Sequence, residues 1–199
     1  MTSRRLIIGI SGASGAAYGL AALELARSAG VETHLVVSRS AMLTLHQELG
    51  LHKADLDGLA DVIHPVSDVG ATIASGSFRT MGMLVAPCSV RTMSEISTGV
   101  TSTLMSRAAD VVLKERRRLV LMVRETPLHL GHLETMVRLT QMGAIIMPPV
   151  PAFYAKPASL DEVVSHSVAR ALDLFDIDTG AVKRWGGLKE GLRDTLLPE

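Results

Sequence analysis

The sequence is poor in the residues that stabilise small disulfide-rich domains or that bind nucleic acids. Among its 199 residues there is one cysteine, Cys88, and aromatic residues make up only 3%. A single cysteine excludes an internal disulfide framework and any zinc site built from several cysteines. Lys plus Arg and Asp plus Glu are both 20, so the formal net charge is zero. Without a basic excess to neutralise phosphates, or aromatics for base stacking, nucleic-acid binding is disfavoured.

Long hydrophobic runs are also missing. The first apolar run, Leu6–Ile10, is shorter than a signal peptide needs, and no small-residue cleavage site follows it. No run approaches the roughly 18 apolar residues of a membrane span. We therefore expect a cytoplasmic protein that does not contact membranes. The length suits one compact domain over 1–199, with a less regular tail from about Asp176.

Apolar segments of strand length alternate with segments of helical periodicity. Strands are predicted at 5–10, 33–37, 83–86, 119–123 and 144–147. Helices are predicted at 16–29, 41–49, 90–96, 103–115, 130–142 and, from the capping box at Ser159, to about 175. The stretch 55–75 is expected to be less regular, with short elements. This alternation predicts an α/β fold with a doubly wound parallel sheet, a three-layer sandwich of the flavodoxin-like or Rossmann-like kind.

Ligands of such sheets bind at the carboxyl ends of the strands, near the point where the strand order reverses. The loops that follow the predicted strands carry hydroxyls, glycines and a few charges. These loops are 11–15, 38–40, 87–92, 124–127 and 148–154. Their common position predicts a ligand site at this edge of the sheet.

The first of these loops, Gly12–Gly15, opens a helix. It can offer backbone N–H groups and the positive end of the helix dipole to a phosphate. Its spacing matches neither the G-x-G-x-x-G dinucleotide motif nor a Walker A loop. Ser38 stands where an NAD site has an acidic residue, so a polyol or a monophosphate suits the loop better than a second ribose. The alternative is a tight glycine turn without a ligand.

The later loops leave alternatives open. Ser89 and Thr92 are either a ligand-binding pair or an ordinary helix N-cap. Cys88 is interpreted as a small buried residue rather than a nucleophile, because no histidine adjoins it in sequence. Arg124 and Glu125 end a buried strand, where they can hold an anion and move a proton; the alternative is a surface ion pair.

Two further clusters have simpler interpretations. His129 and His132 share a face at the start of a helix, with Glu134 nearby, but no convincing third ligand accompanies them. We therefore predict no metal site. The basic run 114–118 is interpreted as a solvated helix end, where cations complement the helix dipole, although Lys114 can point inward.

Five motifs spread over nearly the whole chain occur together. They are Gly-Ile-Ser-Gly-Ala-Ser-Gly at 9–15, Ala-Pro-Cys-Ser at 86–89, Arg-Ala-Ala-Asp-Val at 107–111 with Lys-Glu-Arg-Arg at 114–117, Arg-Glu-Thr-Pro at 124–127, and Pro-Pro-Val-Pro-Ala-Phe-Tyr at 148–154. The last two are specific, whereas the glycine loop alone is not. Together, and from about Arg5 to Trp185, they resemble the UbiX-type flavin prenyltransferases.

The resemblance implies a flavodoxin-like fold that binds reduced FMN and dimethylallyl phosphate. Enzymes of this family join the prenyl group to flavin N5, close a fourth ring onto C6 and release phosphate. The prenylated FMN serves UbiD-type decarboxylases as a cofactor. The resemblance further implies a homo-oligomer, typically a dodecamer, that needs no metal. The alternative is a non-catalytic carrier of FMN or prenylated FMN, or an accessory subunit of an aromatic acid decarboxylase.

Two segments bear on the branch of the family. Related flavoproteins that decarboxylate C-terminal or pantothenoyl cysteines carry a Pro-Ala-Ser-Ala-Asn-Thr motif. The equivalent stretch here, 86–92, differs from that motif, so this branch is disfavoured. The segment 101–103 departs from the pattern of Asp or Asn before the next helix, so the resemblance does not decide its flavin contacts.

Carried over by motif, the resemblance assigns the site residues. The residues assigned to FMN are Gly12, Ala13, Ser14, Ser38, Ser89, Val90, Arg91, Thr92 and Arg124. Those assigned to the prenyl phosphate are Tyr154, Arg170, Lys114 and Arg107, with Trp185 close to the site. The catalytic set is Glu125, which handles a proton, Glu48, which assists, and Lys114 and Tyr154. The cations and the Tyr154 hydroxyl can stabilise the charge that develops on the leaving phosphate.

Overall fold

One parallel sheet organises the part of the chain that the computed structural model describes, residues 4–182, 184 and 186. The strands are β1 (Arg5–Ile10), β2 (Glu32–Val37), β3 (Val62–His64), β4 (Gly82–Cys88), β5 (Arg118–Val123) and β6 (Ala144–Ile146). They lie in the order β3-β2-β1-β4-β5-β6, and all neighbouring pairs are parallel. The order reverses between β1 and β4, which places the expected ligand crevice there.

Helices cover both faces of the sheet. They are α1 (Ala16–Ser28), α2 (Arg39–Leu49), α3 (Val90–Thr98), α4 (Leu104–Lys114), α5 (Leu130–Met142) and α6 (Leu160–Asp173). Because side chains alternate along a strand, Leu6 and Ile8 enter the core under α1 and α6, while Ile7 enters the core under α3, α4 and α5. Within the described residues, none of these helices combines the length and the hydropathy needed to cross a membrane.

Gly19 lets α1 approach the sheet closely. A Cβ at this position would lie 2.7 Å from the carbonyl oxygen of Ala86 and 2.6 Å from two side-chain carbons of Ile10. A side chain there would push the helix away from β1 and β4. The glycine therefore keeps α1 close to the edge where the strand order reverses.

The structure confirms the doubly wound parallel sheet and corrects several limits. A sixth strand, β3, of three residues, lies within the stretch that was expected to be less regular with short elements. The helix α2 begins at Arg39 rather than 41 because Ser38 is its N-cap, and β4 continues to Cys88. Residues 176–182 contain no helix or strand. Trp185, which the resemblance places close to the site, lies outside the described residues.

Candidate functional site

A cavity of about 920 Å³ opens at the carboxyl edge of the sheet. Residues from the loops after each of the strands β1 to β5 line it. Among them are Gly12, Ala13, Ser14, Ser38, Ser89, Val90, Arg91, Thr92, Arg124 and Glu125. The nine residues assigned to FMN and the carboxylate assigned to proton transfer therefore surround one space.

Buried Ser11 holds the loops after β1 and β4 together. Its hydroxyl donates to the carbonyl oxygen of Pro87 at 2.9 Å and accepts the backbone N–H of Ser89 at 2.7 Å. The loop after β5 is joined to them because the Arg124 N–H donates to the Cys88 carbonyl at 3.0 Å. These bonds fix Ser89 and Arg124 relative to the glycine loop.

Gly12 forms the contact between the loops after β1 and β2. A Cβ at Gly12 would lie 2.5 Å from Ser40 Cβ and 2.3 Å from Ser40 Oγ. These distances leave no room for a side chain, and such close approach of backbones is a common role of glycine. The two loops consequently form one continuous wall of the cavity.

Two helices begin at the cavity with serine caps. Ser89 accepts the backbone N–H of Thr92 at 3.3 Å, and its hydroxyl donates to Thr92 Oγ1 at 3.2 Å. Ser38 caps α2 by accepting the N–H of Ala41 at 3.1 Å. Ser89 and Thr92 are therefore a helix cap, and both also line the cavity. The positive ends of α2 and α3 point at the space where an anion is expected.

The start of α1 is different, because a carboxylate already occupies it. Both carboxylate oxygens of Glu48 accept the backbone N–H of Gly15, at 2.9 and 3.1 Å, and one accepts the N–H of Ala16 at 2.9 Å. The expectation that this loop offers free N–H groups to a phosphate is therefore wrong for Gly15. Burial raises the pKa of Glu48, but hydrogen bonds from Ser14, Ala16 and Gly15 and the charge of Arg124 outweigh it, so the pKa is lowered.

Charges of both signs face the cavity. The cations are Arg39, Arg91 and Arg124, and the carboxylates are Glu95 and Glu125. Arg91 donates through Nε to Glu95 at 2.9 Å. Glu125 accepts the N–H of its neighbour Thr126 at 3.0 Å and is exposed. In the described part of the chain Arg124 and Glu125 form no ion pair with each other, so the surface-pair alternative is not what the structure shows.

Four residues assigned to the prenyl phosphate do not line this cavity in the same chain. Lys114 ends α4, is half exposed and pairs with Glu115 at 2.6 Å. Arg107 pairs with Asp110 at 2.8 Å, and Arg170 pairs with Asp173. The Tyr154 ring meets the His166 ring edge-on, with 6.0 Å between the centroids. The helices α4 and α6 run back towards the amino edge of the sheet, which carries Lys114 and Arg170 away from the cavity.

Several residues that line the cavity were not assigned to it by motif. They are Arg39, Ser40, Leu43, Val66, Ser67, Glu95, Ser102, Thr103 and Met105. The position of the loop 38–40 directly after a predicted strand was enough to predict that Arg39 and Ser40 lie at the ligand edge of the sheet. Val66 and Ser67 follow β3, which was not predicted, and Glu95 lies one helical turn after Arg91. Ser102 and Thr103 belong to the segment whose flavin contacts the resemblance left undecided.

Two histidines lie together at the start of α5, His129 as its N-cap residue and His132 in its first turn. The rings of His129 and His132 stack with their centroids 3.6 Å apart. Among the described residues, no group of three His, Cys, Asp or Glu side chains lies close enough together to hold a metal ion. The stacked pair is therefore an aromatic contact at the start of α5.

The chain is similar to known flavoproteins over nearly its whole length. The Flavoprotein family profile matches residues 1–172. The flavin prenyltransferase UbiX of Neisseria meningitidis serogroup B is 57% identical over 187 residues, which cover 94% of this chain and 99% of that protein. The crystal structure of AnUbiX (PadA1) in complex with FMN and dimethylallyl pyrophosphate superposes with a TM-score of 0.91 and 48% identity, over 94% of this chain and 100% of that one.

A second solved structure is the dodecameric FMN-dependent Ubix-like decarboxylase from Escherichia coli O157:H7. It superposes with a TM-score of 0.89 and 48% identity, over 92% of this chain and 100% of that one. Identity at this level over nearly the whole length extends well beyond a shared fold. The chain belongs to the Flavoprotein family and, within it, to the UbiX flavin prenyltransferases.

Proposed function

We propose that the cavity at the carboxyl edge binds reduced FMN and that the protein transfers the dimethylallyl group of a prenyl phosphate to it. The observation that carries the proposal is the convergence of the nine FMN-assigned residues on one cavity of about 920 Å³. That volume lies at the upper end of ordinary small-molecule pockets. Hydroxyls of Ser14, Ser38 and Ser89 suit a ribityl chain, and the Arg124 guanidinium suits an anion.

The residues of the cavity match the chemistry of the transfer. In the first step the prenyl C–O bond to phosphate breaks as a bond forms to flavin N5, and N5 loses a proton. In ring closure the prenyl double bond takes up a proton, its far carbon bonds to C6, and C6 loses a proton, so the net products are the prenylated flavin, phosphate and one proton. Arg124 stabilises negative charge as it develops on phosphate oxygens. Glu125, exposed at the cavity and free of a cationic partner in the described chain, accepts a proton. Glu48 is not among the residues that line the cavity; its carboxylate accepts the amides of Gly15 and Ala16, and the charge of Arg124 acts on it.

We further propose that a neighbouring copy of the chain supplies the remaining phosphate contacts. Four residues assigned to the prenyl phosphate do not line the cavity of their own chain. They are Arg107, Lys114, Tyr154 and Arg170. Leu130, Leu133 and Val137 make an exposed apolar face on α5, the helix that follows Glu125. A face of this kind is a common interface between copies. The dodecameric state of the Escherichia coli relative supports the same assembly.

Anaerobic incubation with reduced FMN and a prenyl donor tests the activity. Dimethylallyl monophosphate and diphosphate are supplied in separate reactions, because the relative AnUbiX was crystallised with the diphosphate. Mass spectrometry of the extracted flavin should show the added five-carbon group with at least one donor. An unmodified flavin mass with both donors contradicts the proposal. Product released over many turnovers supports an enzyme, whereas one tightly held equivalent per chain favours the carrier alternative.

Mixed oligomers test the shared site. Glu125→Gln and Lys114→Ala are each expected to be inactive as pure assemblies. If Glu125 of one copy works with Lys114 of another, co-expressed mixed assemblies should regain about a quarter of the wild-type activity, by random pairing of subunits. Mixed assemblies as inactive as the parents would show that both side chains must come from one chain. Light scattering of the wild type checks the assembly itself.

The product is proposed to pass to a decarboxylase of the UbiD type. The support for this step is the membership of the UbiX family and the decarboxylase name of the second solved relative. Adding the purified reaction product to an apo UbiD-type decarboxylase should restore its activity. Restoration by FMN alone, or failure of the prenylated product to restore it, would contradict the proposed destination.

A further inference from the structure

Two buried histidines face each other across the edge of the sheet, outside the set of residues assigned to FMN. His34 on β2 is 3% exposed, and His64, the last residue of β3, is 9% exposed. His34 Nδ1 lies 2.9 Å from His64 Nε2. The rings are stacked, with centroids 5.2 Å apart and an angle of 15° between their planes. One imidazole must donate and the other accept at this contact.

Charged groups hold the pair on both sides. His34 Nε2 lies 3.1 Å from a carboxylate oxygen of Glu32, and the same carboxylate accepts from Arg5 Nε at 3.0 and 3.1 Å. Phe78 meets the His34 ring edge-on at 5.2 Å. On the other side, the carboxylate of Asp68 acts on His64. The groups that face the pair are therefore Arg5 from β1, Glu32 from β2 and Asp68 from the loop after β3.

The pair is connected to the flavin cavity through a short piece of backbone. His64 ends β3, and Val66 and Ser67, two and three residues later, line the cavity. The carbonyl oxygen of Val66 accepts the N–H of Leu104 at 2.8 Å. The wall 65–67 is thus held at one end by the histidine contact and at the other by the start of α4.

Protonation of both rings is incompatible with this arrangement. The contact between His34 and His64 persists as long as one of the two facing nitrogens keeps its lone pair. With both rings protonated, two N–H groups face each other and two cations stack in a buried position. Burial and the charge of His34 lower the pKa of His64, against the opposing effect of Asp68, which fits a pair that resists the second proton.

We propose that the His34–His64 contact is a positioning device for the cavity wall 65–67, and that loss of the contact in acid weakens FMN binding. The inference rests on the proposed function, because FMN is the ligand whose binding is affected. Only the fraction of molecules with an intact wall binds FMN at full affinity, so the apparent Kd rises as that fraction falls. His34 and His64 act through the wall and are positioning residues.

Fluorescence titration of FMN at pH 7.5 and pH 5.5 tests the proposal with His64→Gln. Glutamine can donate to His34 Nδ1 but does not titrate. The phosphate of FMN itself titrates near pH 6, so a change in Kd with pH is expected in any variant. The informative quantity is the Kd at pH 5.5 divided by the Kd at pH 7.5, compared between the variant and the wild type. We expect a Kd ratio about three to ten times larger in the wild type than in the variant. The matched control is His46→Gln, from an exposed histidine pair, which should keep the wild-type ratio.

Asp68→Asn provides a variant that leaves both histidines in place. Its amide oxygen can still accept the N–H of Gly70, which Asp68 accepts at 3.2 Å. Loss of the carboxylate removes the interaction that favours protonated His64, so the pH at which FMN binding weakens should move to a lower value. Equal Kd ratios in wild type, His64→Gln and Asp68→Asn would overturn the proposal.

Hydrogen exchange of the apo protein separates this proposal from the proposed function. Exchange of the backbone amides of Val66 and Ser67, corrected for the intrinsic pH dependence, should increase at pH 5.5 in the wild type and not in His64→Gln. A protein that binds no FMN at either pH contradicts the proposed function, and the exchange result then decides the role of the pair. Unchanged exchange of the Val66 and Ser67 amides in the wild type would overturn the positioning role even if FMN binds.

Discussion

The carboxylate of Glu48 accepts the backbone N–H of Gly15, with the closer oxygen at 2.9 Å from the nitrogen. The bond joins the last turn of α2 to the first residues of α1, 33 positions apart in the chain. It places a negative charge at the positive end of a helix and satisfies amides that otherwise have no partner within α1. A phosphate at that helix end would have to displace Glu48, so the flavin phosphate is expected elsewhere along the cavity.

Glu48→Ala tests the stabilising part of this arrangement. Removing a side chain that caps two amides should lower the free energy of unfolding by about 1 kcal/mol, and Glu48→Gln should lose less, because it keeps acceptor geometry. The pKa of Glu48 is lowered in the folded protein, so its contribution is present above the ordinary value of 4.5 and is lost as the pH falls below it. Thermal unfolding should show the gap between wild type and Glu48→Gln closing below that pH. The control is Glu24→Gln on the exposed surface of α1. An equal loss of unfolding free energy in Glu24→Gln would contradict the capping role of Glu48.

Gly12→Ala tests the close contact between the loops after β1 and β2. A Cβ at Gly12 has to displace Ser40, whose own Cβ would be 2.5 Å away. We expect a loss of about 1–3 kcal/mol in the free energy of unfolding, together with weaker FMN binding. The double variant Gly12→Ala with Ser40→Gly removes the atoms in conflict and should recover part of both losses. No recovery would show that the strain arises somewhere other than Ser40.

Those parts of the fold were predictable in which a single segment shows a clear hydrophobic pattern. Continuous apolar runs such as 119–123 indicate strands buried on both faces, and they are strands. The strand β3 has only three residues, Val62-Ile63-His64, and no periodicity distinguishes so short a segment. Missing β3 meant missing the loop that follows it, and with it Val66 and Ser67 on the cavity.

The candidate site was also predictable only in part. Loops at strand ends are placed by topology, so Ser38, Ser89 and Arg124 could be predicted to meet. The contact between Glu48 and Gly15 depends on how α2 packs against α1, and nothing local in either segment indicates it. Lys114 does not line the cavity of its own chain, and no local sequence pattern around it indicates this.

Arg124→Ala tests the anion contact. Arg124 lines the cavity, and its charge acts on Glu48. Loss of charge-assisted hydrogen bonds from Arg124 to the bound flavin nucleotide should raise the FMN Kd about 10- to 100-fold, which corresponds to about 1.4–2.7 kcal/mol. Arg124→Lys keeps the charge without the two-pronged geometry and should give an intermediate Kd. Arg79→Ala, at an exposed position before β4 that does not line the cavity, is the control; FMN binding unchanged in Arg124→Ala would place the anion elsewhere.

Glu125→Gln separates binding from proton transfer. Glutamine has the shape of glutamate but cannot accept the proton that the flavin loses. We expect the variant to retain FMN with a Kd within about twofold of wild type and to slow prenylation about a hundredfold, the usual scale for a lost acid–base group. Glu24→Gln, at an exposed position on α1, should be indistinguishable from wild type. Turnover at the wild-type rate in Glu125→Gln would assign the proton to another acceptor.

Cys88 should be unreactive in the folded protein. It is fully buried at the end of β4, and burial raises its pKa to about 12 from an ordinary 9.0. A thiol with this pKa has about a thousandfold less thiolate at pH 8, and the thiolate is the reactive form. Iodoacetamide should therefore label the native protein only slowly at pH 8 and leave prenylation intact, while the unfolded protein should be labelled at the rate of a free thiol. Rapid labelling of the native protein with loss of activity would mean that Cys88 is open to the cavity, and its interpretation as a packing residue would be wrong.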